Sequence, residues 1–307
     1  MTSTGTFTPG PAATEKPHKH NAIPRGGATK APGSSNWSAR IILTIVCLLW
    51  VVPSLGLLIT SFRTTEAAQA TGWWSVITNP ISNWTFDNYA QVLEGGGSNA
   101  FLNSIVVALP ATLIPVLIAA FAAYAFTFME FKGRDLLFVL IVALLVVPLQ
   151  VALVPLLQIY SSVGLQGSFA AVWLAHAGFG MPLAIFILRG YMATLPKGII
   201  ESAKIDGASH YQIFWRLIVP MSVPALASFA IFQFLWTWND LLVALIFLGP
   251  GEREVLTVLV AGLVGAQQQG WQLVTAGAFL SMVVPLLVFL SLQRYFVRGL
   301  TAGSVKG

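Results

Sequence analysis

Charged side chains are scarce in this chain. Only 9% of its 307 residues are Asp, Glu, Lys or Arg, whereas 56% are hydrophobic, and the mean hydropathy is +0.78. Soluble globular domains carry about 25% charged residues, so the composition excludes that class of protein. The sequence predicts an integral membrane protein built from α-helices, because a helix satisfies its own backbone hydrogen bonds in lipid.

Cysteine is also scarce, and clusters of catalytic residues are missing. Cys47 is the only cysteine, which excludes an intramolecular disulfide. No lysine follows a glycine, so the sequence lacks the Gly-Lys-Ser/Thr loop that cradles phosphates in ATPases. The predicted spans carry no cluster of His, Asp and Glu that would indicate a membrane-embedded enzyme. We therefore predict no catalytic residue, no metal site and no cofactor bound by this chain.

Six apolar segments have the roughly 20 residues that a membrane-spanning helix needs. They predict an all-α, polytopic membrane protein with six transmembrane helices. Asp240 is the only carboxylate within them, which disfavours an ion-coupled secondary transporter of small solutes, although that class remains the alternative interpretation. The segments are about Ile41–Phe62, Phe101–Phe128, Leu136–Tyr160, Phe169–Tyr191, Pro220–Leu248 and Leu273–Phe296.

Basic residues are distributed unevenly between the loops. If both termini face the cytoplasm, 14 of the 16 Lys and Arg residues lie on the cytoplasmic side, and only Arg63 and Arg253 lie outside. This distribution follows the positive-inside rule. It predicts a multi-pass protein of the bacterial inner or plasma membrane, surrounded by lipid, with both termini in the cytoplasm. The net charge of +5 follows from this topology and gives no reason to expect nucleic-acid binding.

Residues 1–36 form a different kind of segment. They are rich in Gly, Pro, Ala and Thr and contain no apolar run, so they cannot bury enough surface to offset the entropy of ordering. They also lack the short apolar core of a signal peptide. We predict a disordered cytoplasmic tail at 1–36, followed by a transmembrane domain at 37–307.

A polar loop at 196–220 interrupts the apolar spans on the predicted cytoplasmic side. Gly207 suits the left-handed residue that ends a first helix. Ser209 and Gln212 form a capping-box pattern for a second helix, which ends at Pro220 where the fifth span begins. The loop either lies on the bilayer surface or is presented to a partner. Its predicted apolar face consists of residues spaced three and four apart, namely Ile200, Ala203, Gly207, Tyr211, Phe214 and Ile218.

The same loop carries a recognisable motif. Glu201-Ser202-Ala203-Lys204-Ile205-Asp206-Gly207-Ala208-Ser209, followed by Ile218-Val219-Pro220, resembles the EAA loop of bacterial ABC importer permeases, although Ser202 stands where alanine is more usual. Together with its flanking motifs, the chain resembles the second permease subunit of maltose-type sugar importers, which have the type I importer fold. The flanking motifs are Asn83-Trp84-Thr85-Phe86-Asp87-Asn88-Tyr89, Ala122-Ala123-Tyr124-Ala125-Phe126, Phe131-Lys132-Gly133-Arg134, Trp238-Asn239 and Gln293-Arg294-Tyr295-Phe296.

This resemblance implies partners and a mechanism. It implies ATP-driven import of a sugar, such as a di- or oligosaccharide or a glucoside, by alternating access. A second permease subunit would pair with this chain, and two separate ATPase subunits would hold ATP and Mg. An extracytoplasmic sugar-binding protein would dock on the outer loops Arg63–Ala100 and Gly249–Gln272. The implied docking element for the ATPase is Glu201, Ser202, Ala203, Asp206 and Gly207.

A candidate sugar pathway lies on the fifth span. Polar residues within a membrane tend to face a cavity or another helix, and aromatic faces with amide or carboxylate groups suit sugar rings and hydroxyls. Hydrogen bonding between helices is the alternative role, and in this family the second permease can supply much of the sugar site. The candidates are Gln233, Trp236, Trp238, Asn239 and Asp240.

Overall fold

The computed structural model describes residues 37–78, 83–265 and 270–302, and the side chains up to Gln293. The predicted tail at 1–36 lies outside these residues. Regular structure in the described part is helical, apart from an isolated bridge between Arg63 and Trp84. From Trp50 onward the described residues form one compact unit that contains every site discussed below. The preceding stretch from Trp37 is helical, and its side chains are exposed.

Helices of very different lengths make up the described part of the chain. The longest helices coincide with predicted spans, and most of the short helices lie in the connections between spans. Two π turns, Leu93–Gly97 and Phe214–Ile218, join neighbouring α-helices. The α-helices are α1 (Trp37–Ser61), α2 (Thr65–Ala70), α3 (Asp87–Val92), α4 (Ser98–Phe128), α5 (Arg134–Ala143), α6 (Leu149–Ser162), α7 (Phe169–Met192), α8 (Lys197–Ile205), α9 (His210–Ile213), α10 (Val219–Trp238), α11 (Leu242–Phe247), α12 (Leu256–Gly265) and α13 (Trp271–Ala302).

The number of long apolar helices agrees with the prediction from sequence. Among the described residues, five helical segments are long and apolar enough to cross a membrane, and one bent pair of helices makes a sixth candidate span. The five are Trp37–Ser61, Asp87–Phe128, Phe169–Met192, His210–Trp238 and Trp271–Gln293, and the bent pair is Arg134–Val146 with Leu149–Ser162.

The third span, predicted over Leu136–Tyr160, consists of two helices with a break between them. The helices on either side of its break meet at an angle of 101°. Pro148 explains the position of the break, because it lacks a backbone N–H and disfavours a helical conformation of the residue before it. Val147 is extended, with φ −73° and ψ 115°.

The fifth span also differs from its predicted bounds, Pro220–Leu248. Its helix begins earlier, at His210, because a π turn next to Pro220 lets the chain pass the missing N–H without ending the helix. It ends earlier as well, at Trp238. The Asp240 carboxylate accepts hydrogen bonds from the backbone N–H groups of Val243 and Ala244, at 2.9 and 3.2 Å, and so starts the separate helix α11.

Small residues fill the contact surfaces of the central helices. α4 packs most extensively against α7 and next against α10. Ala111, Ala119 and Ala123 on α4 are fully buried, as are Ala171 and Ala184 on α7. In lipid, close van der Waals packing takes over from the hydrophobic effect in holding helices together, and small residues allow that close approach.

Gln233 joins these three helices by hydrogen bonds. Its side chain on α10 is fully buried, and Nε2 donates to the carbonyl oxygens of Ala111 on α4 and His176 on α7, at 3.2 and 3.3 Å. The amide fits because Gly180 of α7 has no side chain. A Cβ at that position would lie 2.6 Å from Gln233 Oε1.

We expect Gly180→Ala to destabilise the protein. The new methyl would push the Gln233 amide away from its two carbonyl acceptors, and each lost hydrogen bond costs about 1 kcal/mol. Gly178→Ala on the same helix is the matched control, because a Cβ there meets nothing within 4 Å. The measurement is the melting temperature of the detergent-solubilised complex. It should fall for Gly180→Ala alone, and equal melting temperatures would contradict the packing described.

Candidate functional site

The cytoplasmic loop at 196–220 starts with the helix α8. Pro196 lies just before it, one position earlier than the first helical turn, and so costs the helix no hydrogen bond. Ile200 is buried in a core cluster with residues of α4 and α7, which fixes the helix to the bundle. Glu201 and Ser202 follow it on the exposed side. The loop therefore presents a fixed surface rather than a free tether.

The turn after α8 confirms the prediction for Gly207. Its φ is +79°, in the left-handed region that glycine adopts without strain. The N–H of Ala208 donates to the carbonyl of Ala203 at 3.0 Å, and the N–H of Gly207 donates to the carbonyl of Lys204 at 3.1 Å. These two bonds form a Schellman motif, which satisfies the last carbonyl groups of the helix.

The capping box after the turn is also present. Ser209 Oγ accepts from the backbone N–H of Gln212 at 3.3 Å, and Gln212 Oε1 accepts from the N–H of Ser209 at 2.8 Å. The helix that it starts is continuous with the fifth span, so the predicted separate second helix is wrong. The predicted apolar face is wrong at Gly207, which is exposed, and at Tyr211, which is 69% exposed, while Ile213 is buried.

The exposed part of the loop carries unpaired negative charge beside small residues. Glu201 and Asp206 are exposed, and neither forms an ion pair within the described part of the chain. Ser202 and Gly207 are exposed, and Ala203 is half-buried. A groove of about 360 Å³ begins next to them and is lined by Asp206, Gly207, Ala208, Gln212, Ile213, Arg216 and Leu217. The lining of the groove therefore combines one acidic and one basic side chain, Asp206 and Arg216, with small and apolar residues.

Three of the five candidate pathway residues on the fifth span are engaged in internal contacts. Gln233 holds three helices together, as described above. Trp238 is 4% exposed, stacks on Phe234 at 5.6 Å between ring centroids, and donates Nε1–H to the carbonyl of Ser281 at 2.9 Å. Asp240 starts α11. Their side chains therefore take part in helix packing.

Trp236 and Asn239 are less enclosed. Asn239 is exposed, and its Nδ2 donates to the carbonyl of Leu235 within its own helix at 2.8 Å. Trp236 is half-buried and meets the His176 ring edge to face, at 5.1 Å between ring centroids. Of the five candidates, these two have side-chain surface that a passing molecule can reach.

A small polar cavity lies behind this part of the span. Its volume of about 10 Å³ is close to the minimum for one water molecule. His176 and Thr237 line it, and no described hydrogen bond uses either ring nitrogen of His176 or Oγ1 of Thr237. His176 Nε2 lies 3.7 Å from Asp240 Oδ2, beyond hydrogen-bond distance. The cavity is too small for a sugar.

Arg63 in the outer loop has a structural role that the sequence analysis missed. It is 3% exposed, and it donates to the carbonyl oxygens of Thr71 and Ala67 at the end of α2, at 2.8 and 2.5 Å. Burial lowers the pKa of its guanidinium from the ordinary value. Asn103 holds the other outer loop by donating to the carbonyl oxygens of Glu252 and Glu254. The sequence signal for the role of Arg63 was its isolated charge directly after the first span.

The long apolar helices and the exposed cytoplasmic loop define a multi-pass membrane permease. Residues 115–302 match the family described as binding-protein-dependent transport system inner membrane component. The chain belongs to this family. It is accordingly a non-catalytic permease subunit of an ABC importer in the inner membrane, and it works with a binding protein.

Similar proteins extend this comparison. The chain is 55% identical over 272 residues to the osmoprotective compounds uptake permease protein GgtD of Synechocystis sp., covering 87% of this chain and 91% of that protein. It is 58% identical over 231 residues to the alpha-glucoside transport system permease protein AglG of Rhizobium meliloti, covering 73% and 61%. The trehalose transport system permease protein SugB of Mycobacterium tuberculosis is 36% identical over 230 residues, covering 74% and 84%.

A solved structure shares the fold. It is a chain of a bacterial ABC transporter involved in the import of the acidic polysaccharide alginate, with a TM-score of 0.67 and 19% sequence identity. The match covers 87% of this chain and all of the other. The all-helical permease fold inferred from the sequence is therefore confirmed.

We expect Gly207→Ala to weaken the cytoplasmic loop. A side chain at positive φ costs about 1 kcal/mol, although the surrounding space is open. Gly207→Asn should cost less, because asparagine tolerates the left-handed conformation. Gly198→Ala within α8 is the control, with no neighbour in the way. Hydrogen exchange of residues 197–209 should be faster in Gly207→Ala than in either other variant, and equal rates in all three would contradict the assigned turn.

Proposed function

We propose that this chain imports a sugar as the permease subunit of an ATP-driven importer. The cargo is a di- or oligosaccharide or a glucoside. The observation that carries the proposal is the cytoplasmic loop, which is fixed to the bundle at Ile200 and exposes Glu201 and Asp206 without ion-pair partners in the described chain. Relatives named for alpha-glucoside and trehalose transport support a sugar cargo.

The partners are those that membership of the permease family implies. The sequence of this chain has no phosphate-binding loop, and two separate ATPase subunits hold ATP and Mg in this proposal. A second permease subunit completes the translocation pathway. A sugar-binding protein delivers cargo to the outer loops, one of which is held by Arg63 and the other by Asn103. ATP binding closes the ATPase pair, and the spans alternate between inward-open and outward-open states.

The docking element for the ATPase is the exposed surface of the loop. Glu201 and Asp206 offer carboxylates to basic groups of the ATPase. Ser202, Ala203 and Gly207 are small, so the ATPase can approach the loop closely. Both terminal segments and the loop lie on the cytoplasmic side in this arrangement, in agreement with the distribution of basic residues. Residues 1–36 form a tail that precedes the transmembrane domain.

We expect Glu201→Lys to abolish ATPase association and sugar uptake. Reversing a charge that faces a basic group costs about 2 kcal/mol or more, roughly 30-fold in affinity. The measurements are the amount of ATPase that co-purifies with the permease and the sugar uptake of intact cells. Glu130→Lys is the matched control, because Glu130 is also exposed, lies in another predicted cytoplasmic loop and forms no ion pair within the described residues. Wild-type ATPase association in Glu201→Lys would refute the docking role.

The sugar passes the fifth span beside Trp236 and Asn239. An aromatic face and an amide are suited to stacking on a sugar ring and bonding its hydroxyls. Gln233, Trp238 and Asp240 belong to the same section of the span, but they act by holding the neighbouring helices in place. The burial and the hydrogen bonds of the five side chains support this division.

We expect Trp236→Ala and Asn239→Ala to lower the maximal rate of sugar uptake without reducing the yield of the assembled complex. Trp238→Ala should instead reduce the yield of the assembled complex, because truncating a buried tryptophan costs about 3–5 kcal/mol of stability. Uptake by cells and the yield of purified complex separate the two effects. Wild-type uptake in both Trp236→Ala and Asn239→Ala would exclude these residues from the pathway.

A further inference from the structure

The cytoplasmic loop is covalently continuous with two spans, but not with α4. It follows α7 and runs into the helix that becomes α10. α4 comes much earlier in the sequence, yet it has the most extensive packing against α7 and the next most extensive against α10. Any movement of the loop must therefore reach α4 through side chains. The structure shows where such a contact exists.

Tyr124 near the end of α4 contacts the first residue after the loop's capping serine. Its hydroxyl lies 2.8 Å from Nδ1 of His210. Tyr124 is 4% exposed, whereas His210 is exposed. Among the hydrogen bonds of the described residues, this one alone joins α4 to the segment 196–218. Either atom can be the donor, since the neutral imidazole adopts both tautomers.

Aromatic packing holds the two groups in place. Phe121, one turn before Tyr124 on α4, stacks on Phe214 with ring centroids 4.3 Å apart. Tyr124 itself meets Phe214 edge to face at 5.5 Å. Residues three or four apart share one face of a helix, so Phe121 and Tyr124 face the pair formed by His210 and Phe214. The rings pack in the stacked and edge-to-face geometries that aromatic pairs prefer, and the hydrogen bond adds a directional polar contact at the end of α4 next to the loop.

We propose that the hydrogen bond between Tyr124 and His210 is the link that passes movement of the docked loop to α4. Both are positioning residues, and neither contacts the sugar or ATP. Without the bond, the contact between the loop and α4 consists of apolar packing alone, and part of the ATP-driven stroke is lost before it reaches the central helices. This inference rests on the proposed function, because it takes the loop to be the part that the ATPase moves.

The test uses the complete complex of permeases, ATPases and binding protein in proteoliposomes. The measured quantity is the number of sugar molecules imported per ATP hydrolysed. We expect Tyr124→Phe and His210→Ala each to lower this ratio about fivefold, the loss that one hydrogen bond represents, while the ATPase still co-purifies. The double variant should be no worse than either single one, because both remove the same bond.

Two further variants separate a specific bond from a general structural role. His210→Asn should keep most of the wild-type ratio of sugar imported to ATP hydrolysed, since the asparagine side chain places a hydrogen-bonding atom near the position of Nδ1. Tyr160→Phe is the matched control, because Tyr160 is a buried tyrosine of a different core cluster whose hydroxyl makes no hydrogen bond within the described residues. It should leave the ratio unchanged.

Three results obtained with the variants would overturn the link. One is a wild-type ratio in Tyr124→Phe, the second is additive losses in the double variant, and the third is loss of the ATPase from the Tyr124→Phe complex, which would make the contact a docking support. Failure of the proposed function is distinguishable, because the wild-type complex itself would then bind no ATPase or import no sugar. That outcome would overturn the link as well.

Discussion

The absence of water from the bilayer core is the constraint on which this structure depends. Backbone groups there must bond within the protein, so the described spans are helices. The buried amide of Gln233 meets the same demand at Nε2, which donates to carbonyl groups on two neighbouring helices. The charges that cannot be accommodated there collect at the ends of the spans. The loop with Glu201 and Asp206 is the most informative of these places, because its charges have no partner in the described chain.

Local sequence signals predicted the cytoplasmic loop well. Gly207 and the pair Ser209 and Gln212 act over three to six residues, and their conformations follow from backbone sterics and short hydrogen bonds. The predicted apolar face was wrong at Tyr211 because the period of a helix was counted across the Gly207 turn, where the helix is interrupted. The separate second helix was wrong because a proline can be absorbed by a π turn as well as end a helix.

Features that depend on tertiary structure were less predictable. Pro148 marks a break in the third span, but the sequence around it does not determine the angle of 101° between the two helices. The five candidate residues of the fifth span form one group in sequence, and the structure gives them different contacts. Gln233 bonds to α4 and α7, Trp238 bonds to α13, and Asp240 bonds to α11. The bond between Tyr124 and His210 joins residues 86 positions apart, so no local pattern could have indicated it.

ATP-dependent sugar uptake by the reconstituted complex tests the central claim most directly. Proteoliposomes that contain both permeases and the ATPases are loaded with ATP, and labelled trehalose or an α-glucoside is added with the binding protein. Uptake is predicted to require both enclosed ATP and the binding protein, and to persist after proton and sodium gradients are collapsed. Uptake driven by an ion gradient without ATP would contradict the account and indicate a secondary transporter.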